Sequence, residues 1–513
     1  MFDKIIAVVT KVNDAINGVV WGWPMIILIL GTGILLTIRT RGLQVRRFAL
    51  SWSSTILPVF RGFGKKHKQD TKANSISQFE AFATAISGTV GTGNIIGVSS
   101  AILTGGPGAV FWMWVSAFFG MVTNYSENLL GIYYRRREKN GDLSGGAMYY
   151  LSEGLQWKKL GKVLGILAAV FCALAAIGMS GAQTNKISIT LQSVLPTFDP
   201  KKVALIAGIV VAAVLALVII GGIKRIGRVA SILVPFMSLI FIVMAIVIIC
   251  INITAVGSAF ALIFKNIFGF RAVTGGVSGY VFAQVVQKGM ARGVFSNEAG
   301  LGSSVIAHSV SETREPVKQG LWGVFEVFFD TFFICTLTAL VILVSYDPTA
   351  LYATDATGAL IMTDAGASLG AFSMAFGTFG RIVFSIIIPL FAFTTILAWS
   401  FYGEKAIGFH FRNRSDKTRK IAVMVFKVLY ILLVIVAAVI NGELAWAISD
   451  TCNGLMALPN LVALVCLSGL VTKITKNYFA RRRGEKVAPM LSAYPEMNEE
   501  FARELAEDGK ASD

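Results

Sequence analysis

The stretch AISGTVGTGNIIGVSSAI, residues 85–102, is apolar enough to lie in a membrane, yet it contains four glycines. Polar side chains stand between these glycines, at Thr89, Thr92 and Asn94. Each glycine inside a helix costs about 1 kcal/mol of helix stability relative to alanine. This loss of helix stability at the centre of a membrane span indicates that the backbone there has a role other than forming a regular helix.

The composition of the whole chain is that of a membrane protein. Of its 513 residues, 55% are hydrophobic and 15% are charged, and the mean hydropathy is +0.69. A net charge of +17 can indicate a nucleic-acid partner, but lysine and arginine here collect in short clusters between long apolar runs. Cytoplasmic loops of membrane proteins have this pattern. The sequence therefore predicts an all-α polytopic membrane protein in a lipid bilayer, and no nucleic-acid binding.

Apolar runs long enough to cross about 30 Å of hydrocarbon predict eleven membrane spans. They lie near residues 20–38, 79–103, 109–133, 163–190, 203–222, 229–251, 279–309, 320–345, 380–402, 421–440 and 444–471. With the N-terminus outside, the basic clusters fall on the cytoplasmic side and the C-terminus is cytoplasmic. Residues 1–17 and 42–60 are amphipathic, and they are expected along the membrane surface or as plain loops.

A second span, residues 279–309, is also abnormal because it carries Lys288, Arg292 and Glu298 together with five glycines. A charge at the centre of an isolated membrane helix costs at least about 2.5 kcal/mol, so these groups should face protein or water. Lys288 and Arg292 share a helix face, and we expect them to form a structural ion pair with a carboxylate. The carboxylates that could complete it are Glu298, Asp330, Glu127 and Asp450.

The two abnormal spans each begin a group of five spans, and the two groups have opposite orientations in the membrane. This is the arrangement of secondary transporters built from inverted repeats, in which interrupted helices form the binding site. The predicted regions are an N-terminal segment with an extra span, the first repeat, the second repeat and a cytoplasmic tail, at residues 1–77, 78–251, 252–471 and 472–513.

The sequence GTGNIIG within the opening stretch has two alternatives to a binding role. Its glycine spacing fails the dinucleotide-binding GxGxxG pattern by one residue. Close helix packing through Gly93 and Gly97 remains open, although packing does not require the neighbouring threonines and asparagine. In the functional interpretation, unwound backbone offers N–H groups to a carboxylate and oxygens to a cation.

Two further polar features lie in apolar spans. The adjacent hydroxyls of Thr394 and Thr395 could ligate a cation, or they could simply bond the carbonyl one turn earlier. Gln183 is most simply a residue that hydrogen-bonds between helices. The chain contains no HExxH or Walker A sequence and its three histidines are far apart, so we expect neither an enzyme nor an ATP-driven pump. A channel would need a continuous polar stripe instead of polar residues at two breaks.

Several motifs together resemble the alanine or glycine:cation symporter family. They are SGTVGTGNIIGVSSAILTGGPGAVFWMWVSAFFGMVTNYSENLL, GGAMYYL, ARGVFSNEAGLGSSVIAHS and FAFTTILAWSFYGEKA. The resemblance implies a LeuT-like fold of five plus five core helices, with the first and sixth core helices broken and one extra N-terminal helix. It also implies sodium-coupled uptake of alanine or glycine by alternating access, with glutamine uptake or proton coupling as the alternative.

The resemblance further implies the positions of two kinds of site. The substrate site would be formed by Thr92, Gly93, Gln183, Asn297 and Trp399. A sodium site would use Ser87, Val90, Thr394 and Thr395, and a second one would use Thr89 and Asn94. Sodium would be a transported ion, with no cofactor. One departure is Val305, where the family pattern has a proline or small residue, so the exit of that helix is expected to differ slightly.

The resemblance also implies a location. We expect a monomer in the plasma membrane of a bacterium or archaeon, where the partners of the chain are the amino acid, the sodium ion and the lipid bilayer.

Overall fold

The computed structural model describes residues 2–62, 75–138, 141–268, 278–355, 357, 360–440 and 443–510, and it is almost entirely helical. Up to residue 265 the helices are α1 Phe2–Val20, α2 Trp23–Arg39, α3 Leu43–Arg46, α4 Phe48–Gly62, α5 Gln78–Thr89, α6 Ile96–Gly105, α7 Ala109–Tyr133, α8 Ala147–Gly154, α9 Lys158–Val194, α10 Pro200–Ile219, α11 Gly222–Ile251 and α12 Ile253–Lys265. A small antiparallel hairpin of β1 Arg136–Arg137 and β2 Leu143–Ser144 follows α7.

The later helices are α13 Ser278–Asn297, α14 Val305–His308, α15 Pro316–Val327, α16 Thr336–Ser345, α17 Pro348–Leu351, α18 Asp364–His410, α19 Asp416–Val439, α20 Glu443–Arg482 and α21 Pro495–Lys510. Two irregular helical segments interrupt this series. A 3₁₀ turn, Thr92–Asn94, separates α5 from α6, and a π-helical segment, Phe328–Cys335, joins α15 to α16. Helix α18 is kinked at Gly377, where φ is +60°.

Seven helices of the described part are long and apolar enough to cross a membrane, and there are up to nine spans if each of two bent pairs counts as one. The bent pairs are Ala7–Val20 with Trp23–Arg39, at 40°, and Gln78–Thr89 with Thr92–Gly105, at 56°. Large apolar side chains such as Leu217 and Ile220 are exposed on the outside of the bundle, as lipid-facing residues are. The chain is a multi-pass helical membrane protein, as predicted, whereas eleven spans stays a prediction.

The first interruption follows a well-defined helix start. The Ser77 hydroxyl accepts the Glu80 N–H at 3.1 Å, and the Glu80 carboxylate accepts the Ser77 N–H at 2.9 Å, which is a capping box. Helix α5 then runs only to Thr89, and the chain turns through Thr92–Asn94 before α6 begins. The break therefore lies within the glycine-rich stretch, where the sequence predicts it.

The second interruption lies between α13 and α14. Three residues of this segment have left-handed backbone, with φ of +55° at Glu298, +92° at Gly300 and +76° at Gly302. Left-handed backbone is easy for glycine but uncommon for a residue such as glutamate. The run of turns prevents the helix from continuing, and the predicted span 279–309 is therefore broken near its centre.

One end of the bundle is held together by backbone contacts between the two interrupted regions. The Ile76 N–H donates to the Val310 carbonyl at 3.3 Å, and the Glu312 N–H donates to the Ile76 carbonyl at 2.8 Å. The buried Arg135 guanidinium donates to two further carbonyls of the same segment, at 2.6 Å each. The chain leading into the first broken helix is thus tied to the chain leaving the second.

The C-terminal tail docks against this same end. Phe501 is only 2% exposed, and its ring centre lies 5.3 Å from Cζ of Arg135. Glu500 pairs with Arg137 at 3.0 Å, and Glu504 pairs with Arg314 at 2.5 Å. The sequence suggests a short helix or disorder without a role for these residues, but α21 covers the tied end of the bundle.

The expected ion pair between a carboxylate and Lys288 or Arg292 is not formed. In the part of the chain that the structure describes, no carboxylate lies within ion-pair distance of either cation. Cζ of Arg292 instead lies 5.8 Å from the ring centres of both Phe295 and Trp446. Three of the four candidate carboxylates are occupied by uncharged donors, and Asp450 accepts a hydrogen bond from Asn17 at 3.2 Å.

Candidate functional site

The two helix interruptions lie side by side in the middle of the bundle. A Cβ atom placed on Gly93 of the first break would contact the ring of Phe295, near the end of α13, at 3.6 Å. No atom lies within 4 Å of such a Cβ on Gly97, so the close-packing explanation for this glycine pair is not supported. Gly97 therefore has no neighbouring helix in close contact with its Cα.

The first break touches α9 through a polar contact. The Thr92 hydroxyl donates to Oε1 of Gln183 at 2.8 Å, and both side chains are buried. A Cβ on Gly91 would lie 3.9 Å from Nε2 of the same glutamine. Gln183 thus presents its amide directly to the unwound backbone, which is more specific than a general hydrogen bond between helices.

The first break also touches α18. A Cβ on Gly91 would come within 2.4 Å of Oγ1 of Thr395, closer than real atoms approach, so only glycine fits at this position. The Thr394 and Thr395 hydroxyls both donate to the Phe391 carbonyl at 3.0 Å. The bond to a carbonyl one turn earlier is therefore present. It uses only the hydroxyl hydrogens, and the oxygen lone pairs of Thr395 remain beside the break.

The other predicted cation ligands are arranged in the same way. The Ser87 hydroxyl donates to the Thr84 carbonyl at 2.7 Å, and the Thr89 hydroxyl donates to the Ile86 carbonyl at 3.3 Å. Val90, at the C-terminal end of α5, is fully buried. These residues supply neutral oxygen atoms with free lone pairs at the end of a helix, where the carbonyl dipoles point toward a cation.

Asn94 connects the first break to a buried carboxylate. Its side-chain oxygen accepts the Gly91 N–H at 2.9 Å, and its side-chain nitrogen donates to Oδ1 of Asp330 at 2.6 Å. Oδ2 of Asp330 accepts the hydroxyls of Ser296 and Thr331, each at 2.8 Å. Asp330 therefore joins the first break to α13, the helix that leads into the second break.

Asp330 was not among the site residues predicted from the sequence. Asp330 was named only as one possible partner of a basic residue, because a lone acidic residue in an apolar span does not reveal which neighbours it meets. A usable signal was nevertheless present, since ionisable residues inside membrane spans mark ion or substrate pathways. The π-helical segment around Asp330 supports such a role, because π-helical turns are frequent at functional sites.

Asn297, predicted as a pocket residue, is held in place at the second break. Its side-chain nitrogen donates to the Thr331 hydroxyl at 3.1 Å, and its side-chain oxygen accepts the Ala299 N–H at 3.0 Å. The asparagine thus caps the end of α13 in this conformation. One lone pair of its amide oxygen remains available for a ligand.

Trp399 is fully buried on α18, one turn beyond the hydroxyl pair. Its indole N–H has no hydrogen-bond acceptor among the described residues, and its ring centre lies 5.4 Å from that of Tyr402. A Cβ on Gly88 would meet the Tyr402 hydroxyl at 2.9 Å and Ala398 at 3.3 Å. The neighbours of Trp399 on α18 therefore pack against α5.

Buried polar groups hold the second break rigid from the side opposite α5. The Glu127 carboxylate accepts the Gly300 and Gly302 N–H groups at 3.2 and 2.9 Å, and it accepts the Asn460 amide at 2.5 Å. Glu326 bonds the His308 ring at 2.8 Å. Glu127 thereby satisfies two backbone N–H groups that would otherwise be unpaired in an apolar interior, which is a requirement inside a membrane.

A cavity of about 360 Å³ lies next to the first break. Its lining combines small residues of α6 and α9 with charged and aromatic side chains, including Gly97, Asn185, Lys186, Arg292, Asp364 and Trp446. Phe295 stacks on Trp446 with ring centres 5.0 Å apart, and the same Phe295 ring faces Gly93. Phe295 therefore lies between Trp446, which lines the cavity, and the unwound backbone at Gly93.

The comparison with protein families explains why these features occur together. The model of the sodium:alanine symporter family matches residues 6–492. The chain belongs to this family. As a member it is a symporter and not an enzyme, and its family supports transport coupled to sodium.

Two relatives of this symporter illustrate the range of the family. The sodium/alanine symporter AgcS of Methanococcus maripaludis is 40% identical over 474 residues, which cover 92% of this chain and 98% of AgcS. GlnT of Bacillus subtilis, named a probable sodium/glutamine symporter, is 34% identical over 470 residues, which cover 92% and 91% of the two chains. Both the family and AgcS carry sodium and alanine in their names.

A solved structure supports the fold of the symporter. A Na⁺-coupled sialic acid symporter in its substrate-bound outward-open state superimposes with a TM-score of 0.52, over 95% of each chain, although only 14% of residues are identical. At this level of identity the likeness concerns the fold alone. The LeuT-like fold inferred from the motifs is thereby confirmed, while the exact helix count and the repeat boundaries remain predictions.

Proposed function

We propose that this symporter takes up a small neutral amino acid, alanine or glycine, together with sodium by alternating access. The observation that carries this proposal is the contact of the unwound segment at residues 91–94 with three different groups. They are the Gln183 amide, the Thr395 hydroxyl and the Asp330 carboxylate. Unwound backbone at a LeuT-like break, surrounded by neutral oxygens and one carboxylate, suits a zwitterion and an alkali cation.

The substrate is assigned to the face of the break that carries Thr92 and Gly93. Its carboxylate would accept backbone N–H groups there, and its ammonium group would face the oxygens of Gln183 and Asn297. Trp399 would limit the room for the side chain, which favours alanine and glycine over larger amino acids. Thr92, Gln183, Asn297 and Trp399 are buried, and so is Gly93, which supports this assignment.

The principal sodium ion is assigned to carbonyls near Ser87 and Val90 and to the hydroxyl oxygens of Thr394 and Thr395. The contact between Gly91 and Thr395 supports this assignment because it brings α18 against the end of α5. A second sodium ion would use Asn94 and Thr89. Asp330 strengthens that second position, since a carboxylate is the strongest hard-oxygen ligand at the break.

The membrane arrangement proposed for this chain has eleven spans, with an outside N-terminus, a cytoplasmic C-terminus and two inverted repeats. Helix α5 begins at Gln78 and α11 ends at Ile251, in agreement with a first repeat at residues 78–251. The second repeat is placed at 252–471, between an N-terminal region at 1–77 and a tail at 472–513. The chain would work as a monomer in a bacterial or archaeal plasma membrane.

Sodium coupling supplies enough free energy for uptake against a gradient. One sodium ion entering with a neutral zwitterion gains about 2.3 kcal/mol at 100 mV, and a tenfold sodium gradient adds about 1.4 kcal/mol. The sum supports roughly 500-fold accumulation of the amino acid. Coupling requires that sodium and substrate together favour closure on the outside more than either does alone.

The test is uptake of labelled alanine into proteoliposomes containing the purified full-length chain. We expect accumulation above the outside concentration when sodium is high outside and low inside, and only equilibration when sodium is equal on both sides. Liposomes without protein and liposomes in potassium are the controls. Downhill flux that ignores sodium would indicate a channel and would overturn the proposal.

Glutamine uptake is a second candidate, favoured by the 34% identity with GlnT over most of both chains. The outcome depends on the room beside Trp399, because glutamine carries a longer polar side chain than alanine. Competition of labelled alanine uptake by unlabelled glycine, serine, D-alanine and glutamine distinguishes the two. Strong competition by glutamine and weak competition by glycine would favour the second candidate, and a proton gradient replacing sodium would favour proton coupling.

A further inference from the structure

A second cavity lies between the end of α2 and the last part of α20, outside the proposed transport site. Its volume is about 390 Å³. Six of its lining residues are basic and one is acidic, and they are Arg39, Arg41, Arg46, Arg47, Lys476, Arg483 and Glu485. We propose that this cavity, called here the basic pocket, binds the phosphodiester headgroup of an anionic phospholipid.

Most of the positive charge in the basic pocket is not neutralised by the protein. Arg483 pairs with Glu485 at 2.7 Å. For Arg39, Arg41, Arg46 and Lys476, no carboxylate of the described chain lies within ion-pair distance. Four unpaired cations around one concavity repel each other, and an anion placed among them removes that repulsion. Arginine is well suited to a phosphate because its planar guanidinium donates in pairs.

The backbone at the pocket holds these cations in a fixed arrangement. The turn after α2 has left-handed backbone at Arg41, with φ of +58°, and at Gly42, with φ of +64°. The Arg46 guanidinium donates to the Arg41 carbonyl at 3.3 Å, and Cζ of Arg47 lies 4.5 Å from the ring centre of Phe479. The side chains at the rim are therefore positioned by the turn and by α20 before any ligand arrives.

The surroundings of the pocket match the level of lipid headgroups. On α2 and α3, directly beside the basic residues, Ile34, Ile38 and Val45 are 42%, 70% and 62% exposed. Ile38 and Val45 are each next to an arginine, Ile34 lies one turn before Ile38, and apolar side chains this exposed are satisfied when they contact acyl chains. A lipid meets both demands at once, because its phosphate fits the cations and its chains cover the apolar side chains. A soluble phosphate would leave the apolar side chains in water.

A lipid in the basic pocket would connect three helices. The pocket is walled by the end of α2 and by Thr475 on α20, and the Thr475 hydroxyl is 2.8 Å from the Tyr125 hydroxyl on α7. The same α20 carries Asn460, which donates to the Gly300 carbonyl at the second break, at 2.9 Å. Binding would therefore stabilise the junction between the N-terminal helices and the helix that supports the transport site.

The experiment measures the thermal unfolding midpoint and lipid retention of the purified full-length protein in detergent. Phosphatidylglycerol, phosphatidylcholine and inorganic phosphate are added separately at equal concentrations, and retained lipid is weighed by native mass spectrometry. We expect phosphatidylglycerol to raise the midpoint and to be retained, and the other two to have little effect.

Two matched variants on one helix make the test specific. Lys476→Gln removes a cation of the pocket, whereas Lys473→Gln removes an exposed cation three residues earlier that does not line it. The double variant Arg39→Gln with Arg46→Gln should weaken retention about tenfold or more, since each basic residue near a headgroup contributes substantially. Lys417→Gln with Lys420→Gln, which removes the same charge from another exposed surface, should retain the lipid.

Three results would overturn the proposal. The first is equal stabilisation by phosphatidylglycerol and phosphatidylcholine. The second is stabilisation by inorganic phosphate that is lost in Lys476→Gln, which would make the pocket a site for a free anion. The third is an equal loss of lipid in Lys473→Gln, which would reduce the effect to net charge. All of the substituted residues are exposed, so each variant is expected to fold, and monodisperse elution verifies this.

Discussion

The Thr92 hydroxyl donates to the Gln183 side-chain oxygen at 2.8 Å, although 91 residues separate the two in sequence. This bond joins the unwound turn of the first broken helix to α9. Neither residue is accessible to solvent in this conformation. An amino acid that binds between the turn and α9 must form new hydrogen bonds with the same two side chains.

Replacing Gln183 with alanine is expected to raise the KM for alanine about tenfold or more. The substitution leaves the Thr92 hydroxyl without its partner and removes an oxygen assigned to the substrate ammonium, and buried hydrogen bonds of this kind contribute about 1–3 kcal/mol. Initial rates of labelled uptake at saturating sodium give the KM. Gln192→Ala on the same helix, where the side chain only bonds Ser188, is the control. An unchanged KM in Gln183→Ala would remove this residue from the pocket.

Replacing Thr395 with alanine is expected to raise the sodium concentration for half-maximal uptake about tenfold, while protein amount changes little. The hydroxyl oxygen beside Gly91 is a proposed sodium ligand, and alanine lacks both this hydroxyl and the γ-methyl group. Thr338→Ala is the matched control, because that buried hydroxyl also donates to a carbonyl one turn earlier, at 3.1 Å in α16. If both variants show the sodium response of the wild type, the proposed ion site is wrong.

Replacing Asp330 with asparagine is expected to reduce stabilisation by sodium, because it removes a proposed ligand of the second sodium position and leaves the principal position intact. An ion that binds only the folded protein raises its unfolding midpoint with concentration. The measurement compares midpoints in sodium chloride and potassium chloride at equal ionic strength. Asp450→Asn, which changes a carboxylate that bonds Asn17 away from the breaks, serves as control. A sodium-dependent shift in Asp330→Asn as large as that of the wild type would limit this carboxylate to a structural role.

Two glycines of the opening stretch should respond in opposite ways to alanine. At Gly91 the new Cβ would lie 2.4 Å from the Thr395 hydroxyl, so we expect loss of uptake and a lower unfolding midpoint. At Gly97, inside α6, nothing lies within 4 Å of the new Cβ, so alanine should stabilise the helix by about 0.4–1 kcal/mol. Thermal unfolding and uptake are measured for both. Equal tolerance at the two positions would contradict the close approach of α18 to the break.

The docked tail predicts a local change at the tied end of the bundle. Phe501→Ala removes a buried ring and should cost about 3 kcal/mol of local stability. We expect faster trypsin cleavage after Arg314, whose partner Glu504 lies three residues beyond Phe501. Val487→Ala, at a 40% exposed position of the same tail, should leave the cleavage rate unchanged. Equal rates in the two variants would show that α21 does not protect this end.

Much of the fold was predictable because its signals are local. Long apolar runs between basic clusters indicate membrane helices wherever they occur, and glycine with small polar residues marks the breaks at 85–102 and 279–309. The carboxylate partner expected for Lys288 and Arg292 has no such local signal. Charge spacing on one helix does not reveal which donors already occupy a distant carboxylate, and Glu127, Glu298 and Asp330 are occupied by uncharged groups.

The sequence by itself therefore determined that this is a helical membrane protein with two interrupted spans, and its motifs placed it among sodium-coupled symporters. Only the tertiary structure decided which groups meet at the interruption. Thr92 bonds Gln183, Thr395 lies against Gly91, and Asp330 connects Asn94 to α13. The physical reason is that a helix break follows from local backbone preferences, whereas a binding site depends on side chains brought together from distant helices by packing.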